Sequence, residues 1–186
     1  MKRTFDLVFS LILILLLLIP MLVISFIIRF ESNGPSIYWS KRVGQYSKIF
    51  LMPKFRSMKI NTPQIATHLM QDSNKFITPF GSFIRKNSID ELPQLYSIFK
   101  GDLSFVGPRP ALFNQKDLIK LRKEHNIDEL KPGLTGWAQV NGRDRISIDR
   151  KVQFEIEYLN KKNFMFDLYI ILLTIKLIFL RNNIIH

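Results

Sequence analysis

The sequence predicts an α+β fold: a small mixed domain, rich in helices and ordered loops, held to a membrane by an N-terminal helix. Three observations carry that expectation. The stretch from Leu7 to Ile28 contains no charged residue. Residues 31–163 alternate short strand and helix patterns between frequent Gly and Pro breaks, without repeats or low-complexity tracts. The chain has 186 residues, which leaves room for one modest globular domain beside the apolar segment.

The N-terminal segment, residues 1–30, comes first. A helix over Leu7–Ile28 would be about 33 Å long, enough to cross a bilayer. The run is too long for a cleaved signal peptide, and no small-residue cleavage site follows it. Pro20 interrupts it near the middle, and basic residues flank both ends: Lys2 and Arg3 before, Arg29, Lys41 and Arg42 after. Basic residues favour the cytoplasmic face. Two basic flanks therefore suit a re-entrant helical hairpin bent at Pro20, and a straight span remains the alternative.

The central domain, residues 31–163, opens with strand patterns at Ser36–Trp39 and Ile49–Met52. A helix is expected over about residues 90–100. Ser88 with Glu91 fits a capping box, Pro93 suits a first turn, Gly101 reads as the stop, and Leu92, Leu95, Ile98 and Phe99 would face a core. Further helical patterns cover 114–125 and 147–160. The last segment, 164–186, holds an apolar stretch from Phe164 to Leu180 broken by Asp167 and Lys176. It reads either as a helix lying in the membrane interface or as one packed on the domain's own core.

Charge and composition narrow the partners. A formal net charge of +12 implies an anionic one: nucleic acid, a lipid surface or phosphorylated small molecules. Cysteine is absent and His68, His125 and His186 show no ligand spacing. A thiolate nucleophile, a disulfide framework and a zinc site of either kind are thereby disfavoured. There is neither a dinucleotide fingerprint nor a Walker-type phosphate loop.

Four loop segments carry unusual chemistry. KFRSM supplies Lys54 and Arg56, and Arg85 stands five residues before Asp90. In NSIDELPQL, two adjacent carboxylates, Asp90 and Glu91, precede Pro93. In GDLSFVGPRP, Arg109 lies between two prolines that restrict its backbone, so its guanidinium can grip a phosphate bidentately. PGLTGWAQVNGR combines glycines that permit close backbone approach with Trp137, Gln139, Asn141 and Arg143, a set able to hold a base, or simply a turn with a buried tryptophan. A carboxylate among phosphate-binding cations has two candidate roles. It can bind Mg2+ that in turn holds phosphate oxygens, or it can attack phosphorus to give an acyl phosphate.

In this order, KFRSM, SIDELPQ, GDLSFVGPRP and PGLTGWAQVNGR resemble the bacterial sugar transferases, the monotopic phosphoglycosyl transferases, in the family's small form. The resemblance runs from the N-terminal segment to about Asp167. It implies transfer of a phosphosugar from a UDP-sugar to polyprenol (undecaprenyl) phosphate with release of UMP, the first membrane step of surface-glycan synthesis. It implies a re-entrant helix broken at a proline, here Pro20, although this chain has Ile19-Pro20 where Ser-Pro is common. The catalytic domain would face the cytoplasm at the bacterial inner membrane. Carried over by position, Asp90 resembles the nucleophile, with Mg2+ beside it, and Glu91 its metal partner or base. Arg109 resembles the phosphate-binding arginine, with Arg85, Lys54 and Arg56 as further cations. Gln139, Asn141 and Arg143 would bind the nucleotide. Glu155 stands where relatives more often carry aspartate. Membrane lipid is an expected partner and nucleic acid is not, with a homodimer left open.

Three rivals predict different outcomes. A basic nucleic-acid-binding membrane protein gives salt-sensitive oligonucleotide binding that ignores Asp90. A non-catalytic scaffold of glycan assembly tolerates Asp90→Asn. A glycosyltransferase that moves sugar without phosphate releases UDP.

Overall fold

The computed structural model describes residues 1–60, 62, 75–142 and 146–183. Helix α1 (Lys2–Glu31) is followed by strands β1 (Ile37–Val43) and β2 (Ile49–Phe55), then α2 (Pro79–Lys86), α3 (Gln94–Lys100), β3 (Ser104–Val106), β4 (Ala111–Leu112), α4 (Lys116–Glu124), β5 (Gly133–Thr135), α5 (Trp137–Val140), α6 (Ile148–Lys161) and α7 (Phe164–Asn183). The α+β expectation holds. β1 pairs antiparallel with β2 from Ile37 opposite Phe55 to Val43 opposite Ile49, and β4 joins the other edge of β1. β3 and β5 form a separate parallel pair.

Local chemistry explains several boundaries. Thr78 caps α2 by accepting from Gly81 N at 3.0 Å, with Pro79 in the first turn. Ser147 caps α6 in the same way through Arg150 N. Gly101 ends α3 with φ 101°, a left-handed conformation that costs a residue without Cβ little.

The helix expected over 90–100 is split. Ile89–Glu91 form a single 3-10 turn and α3 begins only at Gln94. The Ser88 side chain makes no cap bond, and the Glu91 carboxylate is drawn away to Lys54 and Arg109. The capping box therefore does not form, because two cations outcompete one backbone N–H for that carboxylate. Leu95 and Ile98 are buried as expected, whereas Phe99 is exposed.

Helical geometry in α1 continues through Pro20. One stripe of α1 packs on the domain: Asp6, Ser10 and Ile28 are buried, and Leu13, Ile14, Leu17, Met21 and Ile24 lie against its core clusters. The three- and four-residue spacings keep these side chains on one face. Both ends are tied to the same domain. Lys2 Nζ donates to Val106 O (2.9 Å), Tyr158 Oη (3.0 Å) and Asp167 Oδ2 (2.6 Å). Asp6 accepts from Phe105 N. At the far end Glu31 accepts from Phe80 N at 2.7 Å. The opposite face exposes Leu15, Leu16, Ile19, Leu22, Phe26 and Phe30.

α7 divides the two alternatives between its halves. Asp167 and Ile170 are buried against the domain, while Leu172, Ile175, Leu177, Ile178 and Leu180 are exposed. Asp167, which breaks the apolar stretch, is the partner of Lys2 and Tyr158. The Tyr158 hydroxyl is held well above its ordinary pKa by burial and by that carboxylate.

Candidate active site

β2, the 3-10 turn before α3, and the Pro108-Arg109-Pro110 turn converge on one point. Lys54 arrives from β2 and donates to Glu91 Oε1 at 2.7 Å. Arg109 Nη2 donates to the same oxygen at 2.9 Å. Asp90 stands beside Glu91 in the middle of the turn, and Lys54, Arg85 and Arg109 lie near enough for their charges to act on it. Three sequence-distant motifs, with Arg85 five residues before Asp90, thus supply one cluster of two carboxylates and three cations.

The two carboxylates experience this cluster differently. Burial pushes the Asp90 pKa up, and the adjacent Glu91 charge adds to that effect; Lys54, Arg85 and Arg109 only partly oppose it. Burial would raise Glu91 too, but Arg109 and Lys54, acting by charge and by hydrogen bonds, hold it well below the usual carboxylate range. Lys54 is lowered from its ordinary value by burial, which outweighs the Glu91 charge. Glu91 is therefore a permanent anion that fixes two cations. Asp90 is a partly buried carboxylate whose charge is less fully matched, the condition that makes an oxygen nucleophilic or available to a metal.

The Arg109 turn owes its shape to glycines. A Cβ on Gly107 would meet the carbonyl oxygen of Lys131, and one on Gly133 or Gly136 would meet backbone atoms of Gly107. The glycines of PGLTG serve close packing of one backbone on another, rather than approach to a ligand, and they lock Pro108 and Arg109 in place. Here the reading of those glycines as a ligand cradle gives way to a structural role.

The remaining candidates fall elsewhere. Arg56 lies past the end of β2 and donates through Nη2 to Ser32 O (2.6 Å) and Ser32 Oγ (2.9 Å), and through Nη1 to Asn33 O (2.9 Å). It secures the C-terminal end of α1 and does not join the Lys54–Glu91–Arg109 cluster. Trp137 donates from Nε1 to Glu157 Oε2 at 2.9 Å and packs against Phe154, Phe166 and Tyr169, so its ring fastens α5 to α6 and α7. Asn141 donates to Trp137 O at the end of α5. Gln139 has both polar side-chain atoms buried without a partner among the described residues. Arg143 lies outside the described residues.

Sequence reasoning missed Arg122 and assigned its partner Glu155 no role. Arg122 Nη2 donates to Arg109 O at 2.9 Å while the guanidinium bonds both oxygens of Glu155, at 2.5 and 2.8 Å. One signal was available: Arg122 follows Leu118 by four residues, which puts a charge on the buried face of α4.

These side chains offer a magnesium ion few protein ligands. No group of three or more metal-ligating side chains occurs among the described residues, so the donor set fits no closed protein cage. Glu91 Oε1 is already engaged by two cations. Asp90 remains as a carboxylate donor, which suits Mg2+ because this ion is commonly held by one or two carboxylates plus substrate phosphates.

Comparison with known proteins agrees with the motifs. The bacterial sugar transferase family model matches residues 1–181. An uncharacterized sugar transferase, EpsL, of Bacillus subtilis (strain 168) is 37% identical over 176 residues, covering 95% of this chain and 86% of the relative. The undecaprenyl-phosphate galactose phosphotransferase of Salmonella typhimurium (strain LT2) is 35% identical, covering 98% of this chain and 41% of that protein. The UDP-glucose:undecaprenyl-phosphate glucose-1-phosphate transferase of Escherichia coli (strain K12) is 33% identical, covering 94% and 39%. The chain thus spans less than half the length of these last two relatives. With a family match across nearly its whole length, the protein belongs to the bacterial sugar transferase family.

Proposed function

We propose that this transferase moves a sugar phosphate from a UDP-sugar to a polyprenol phosphate, releasing UMP, with Asp90 as covalent carrier. The observation that carries the reading is the asymmetry of the paired carboxylates: Glu91 is consumed in fixing Lys54 and Arg109, while Asp90 stands among three cations with a raised pKa. The names of the Salmonella and Escherichia coli relatives supply the class of acceptor and, for the latter, the nucleotide.

In this reading Arg109, held by Glu91, grips the diphosphate, and Lys54 and Arg85 add positive charge where the transferred group acquires negative charge. An Asp90 carboxylate oxygen attacks the sugar-bearing phosphorus. The bridging P–O bond breaks, and its oxygen and electron pair leave with UMP. A phosphate oxygen of the polyprenol phosphate then attacks the same phosphorus, forming a diphosphate-linked sugar and freeing Asp90. Mg2+, held by Asp90 and phosphate oxygens, would neutralise charge on the diphosphate. Gln139, Asn141 and Arg143 remain the nucleotide-binding candidates of this reading.

The membrane arrangement follows the same lines. Lys2 and Asp6 at one end of α1, and Glu31 and Ser32 at the other, engage one domain, which supports entry and return at one membrane face. α1 exposes an apolar face along its length, and the second half of α7 does likewise. We place the domain on the cytoplasmic face of the bacterial inner membrane on the strength of the basic flanks.

The test is nucleotide release by the protein in lipid nanodiscs with a panel of UDP-sugars and Mg2+. Wild type and Asp90→Asn would be assayed with and without undecaprenyl phosphate. UMP turnover beyond one equivalent per chain that requires the lipid, and is lost in the variant, supports the reading; a phosphosugar adduct on intact wild-type protein, formed without lipid alongside about one UMP per chain, supports Asp90 as carrier. Release of UDP instead would sink it.

A further inference from the structure

The Pro108-Arg109-Pro110 turn is held from behind at three successive carbonyls. Pro108 O accepts from Gly133 N at 2.9 Å. Arg109 O accepts from Arg122 Nη2 at 2.9 Å, and Pro110 O from Arg42 Nη1 at 3.2 Å. Only the first of these donors is backbone. Of the other two, Arg122 is the buried one, and its guanidinium is oriented by both oxygens of Glu155.

We propose that the Arg122–Glu155 pair is a positioning device for Arg109, setting through the Arg109 carbonyl where its guanidinium meets the diphosphate. The chemistry suits the task. Arg122 Nη2 carries two protons, and the structure uses one on Glu155 Oε1 and the other on Arg109 O. The fork geometry of the guanidinium turns a two-point grip by Glu155 into a fixed direction for the third bond. A lysine would keep the charge and lose that direction. Glu155 also neutralises Arg122, so the buried cation neither repels Arg109 nor competes with it for phosphate. The side chain of Arg109 is meanwhile held in front by Glu91. A catalytic arginine clamped at backbone and side chain meets a phosphate with little freedom, which is what phosphate recognition requires.

This inference rests on the reading of Arg109 as a diphosphate ligand, and the experiment separates the two. UDP with Mg2+ is titrated calorimetrically into the full chain in nanodiscs, as wild type, Glu155→Gln, Glu155→Asp, Arg122→Lys and the double replacement Arg122→Met/Glu155→Met. Hydrogen–deuterium exchange of residues 107–112 is followed in parallel. The double replacement swaps both charges for apolar groups of similar bulk, and so guards against a variant that merely fails to fold.

Glu155→Gln, Arg122→Lys and the double replacement are expected to weaken UDP binding about tenfold or more and to raise exchange selectively at 107–112. Glu155→Asp should keep affinity within about threefold, because the shorter carboxylate still orients the guanidinium. In an Arg109→Gln background the same substitutions should change affinity less than about twofold, since an effect transmitted through Arg109 disappears with it. Equal losses with and without Arg109 would overturn the proposal in favour of general structural support, as would unchanged exchange at 107–112 in folded variants. If wild type binds no UDP, the nucleotide reading fails, and the exchange pattern alone still decides whether the pair holds the turn.

Discussion

Two glutamate–arginine pairs lie on either side of the Arg109 turn and do opposite work. Glu155 and Arg122 form a closed pair: their side chains are 2% and 9% exposed, both carboxylate oxygens are used, and the second Nη2 proton of the arginine goes to a carbonyl. Glu91 and Arg109 form an open one: side-chain exposures are 15% and 34%, and a single carboxylate oxygen takes both cations. The closed pair is almost wholly withdrawn from solvent and so from any ligand. The open pair keeps Arg109 about a third exposed and close enough for its charge to act on Asp90. The same two residue types build scaffold in one place and a candidate site in the other, and the difference is how deeply the fold buries each pair and whether one or both carboxylate oxygens are engaged.

The comparison makes its largest prediction at Asp90, the group the open pair serves. Asp90→Asn should lower transfer activity by at least about a thousandfold, since an amide cannot form the acyl phosphate. Its stability should move the other way. Burial makes the Asp90 charge unfavourable in the folded state, so the neutral amide should leave Tm unchanged or higher at neutral pH. Nucleotide-release assays and differential scanning fluorimetry on one preparation check both halves. A variant that is inactive because it is unfolded would break the contrast.

The pairs themselves come next. Glu155→Gln strands a buried guanidinium and should cost about 3–5 kcal/mol. Glu91→Gln leaves Lys54 and Arg109 nearer to solvent and should cost only about 1–2 kcal/mol, while impairing activity. Urea unfolding of the two variants in the same lipid mimic measures the ratio. Equal costs would mean that the open pair is as structural as the closed one.

What the sequence revealed of this arrangement follows from the reach of local signals. Asp90, Glu91 and Arg109 were legible because each sits in a short segment with odd local chemistry: adjacent carboxylates ahead of a proline, an arginine between two prolines. β1, β2, α4, α6 and α7 were legible from periodicity, Gly and Pro. Arg56 was misjudged because KFRSM shows two cations two residues apart but not that the strand ends at Phe55, after which Arg56 turns to Ser32. β3, β4 and β5 escaped because strands of two or three residues exist only through partners some thirty positions away or more. Arg122 with Glu155, and Lys2 with Asp167, join residues 33 and 165 positions apart, a distance no local pattern spans.

The pH dependence separates the two carboxylates of the site. Asp90 must be ionised to attack, and its pKa lies above the ordinary 3.8. Activity should therefore fail on the acid side at a higher pH than an exposed aspartate would give. Its contribution to stability is fully present below pH 3.8 and is lost as pH rises through the raised folded value. Glu91 has the reverse sign: its contribution is present above the ordinary 4.5 and is lost only as pH falls through its depressed folded value. Glu91→Gln removes a negative neighbour and frees two cations, so it should move the acid limb of the activity profile to lower pH. A limb that stays put would show that Asp90 does not feel the pair.

The smallest effect is expected where a pair is closed at one end only. Lys2 is 39% exposed and its partner Asp167 is 9% exposed. Lys2→Met removes bonds to Val106, Tyr158 and Asp167 and should cost about 1 kcal/mol, because solvent already screens the lysine. Unlike Glu155→Gln, it should leave activity nearly intact once the protein is folded, since it touches nothing that orients Arg109. Asp167→Asn instead removes the buried partner and should destabilise more than Lys2→Met. The two variants are compared by unfolding in lipid nanodiscs, where α1 keeps its apolar surroundings. If Lys2→Met lowers activity as far as Glu155→Gln does, the tether of α1 reaches the catalytic turn through β3, and burial would no longer separate the pairs that hold the site from those that only hold the fold.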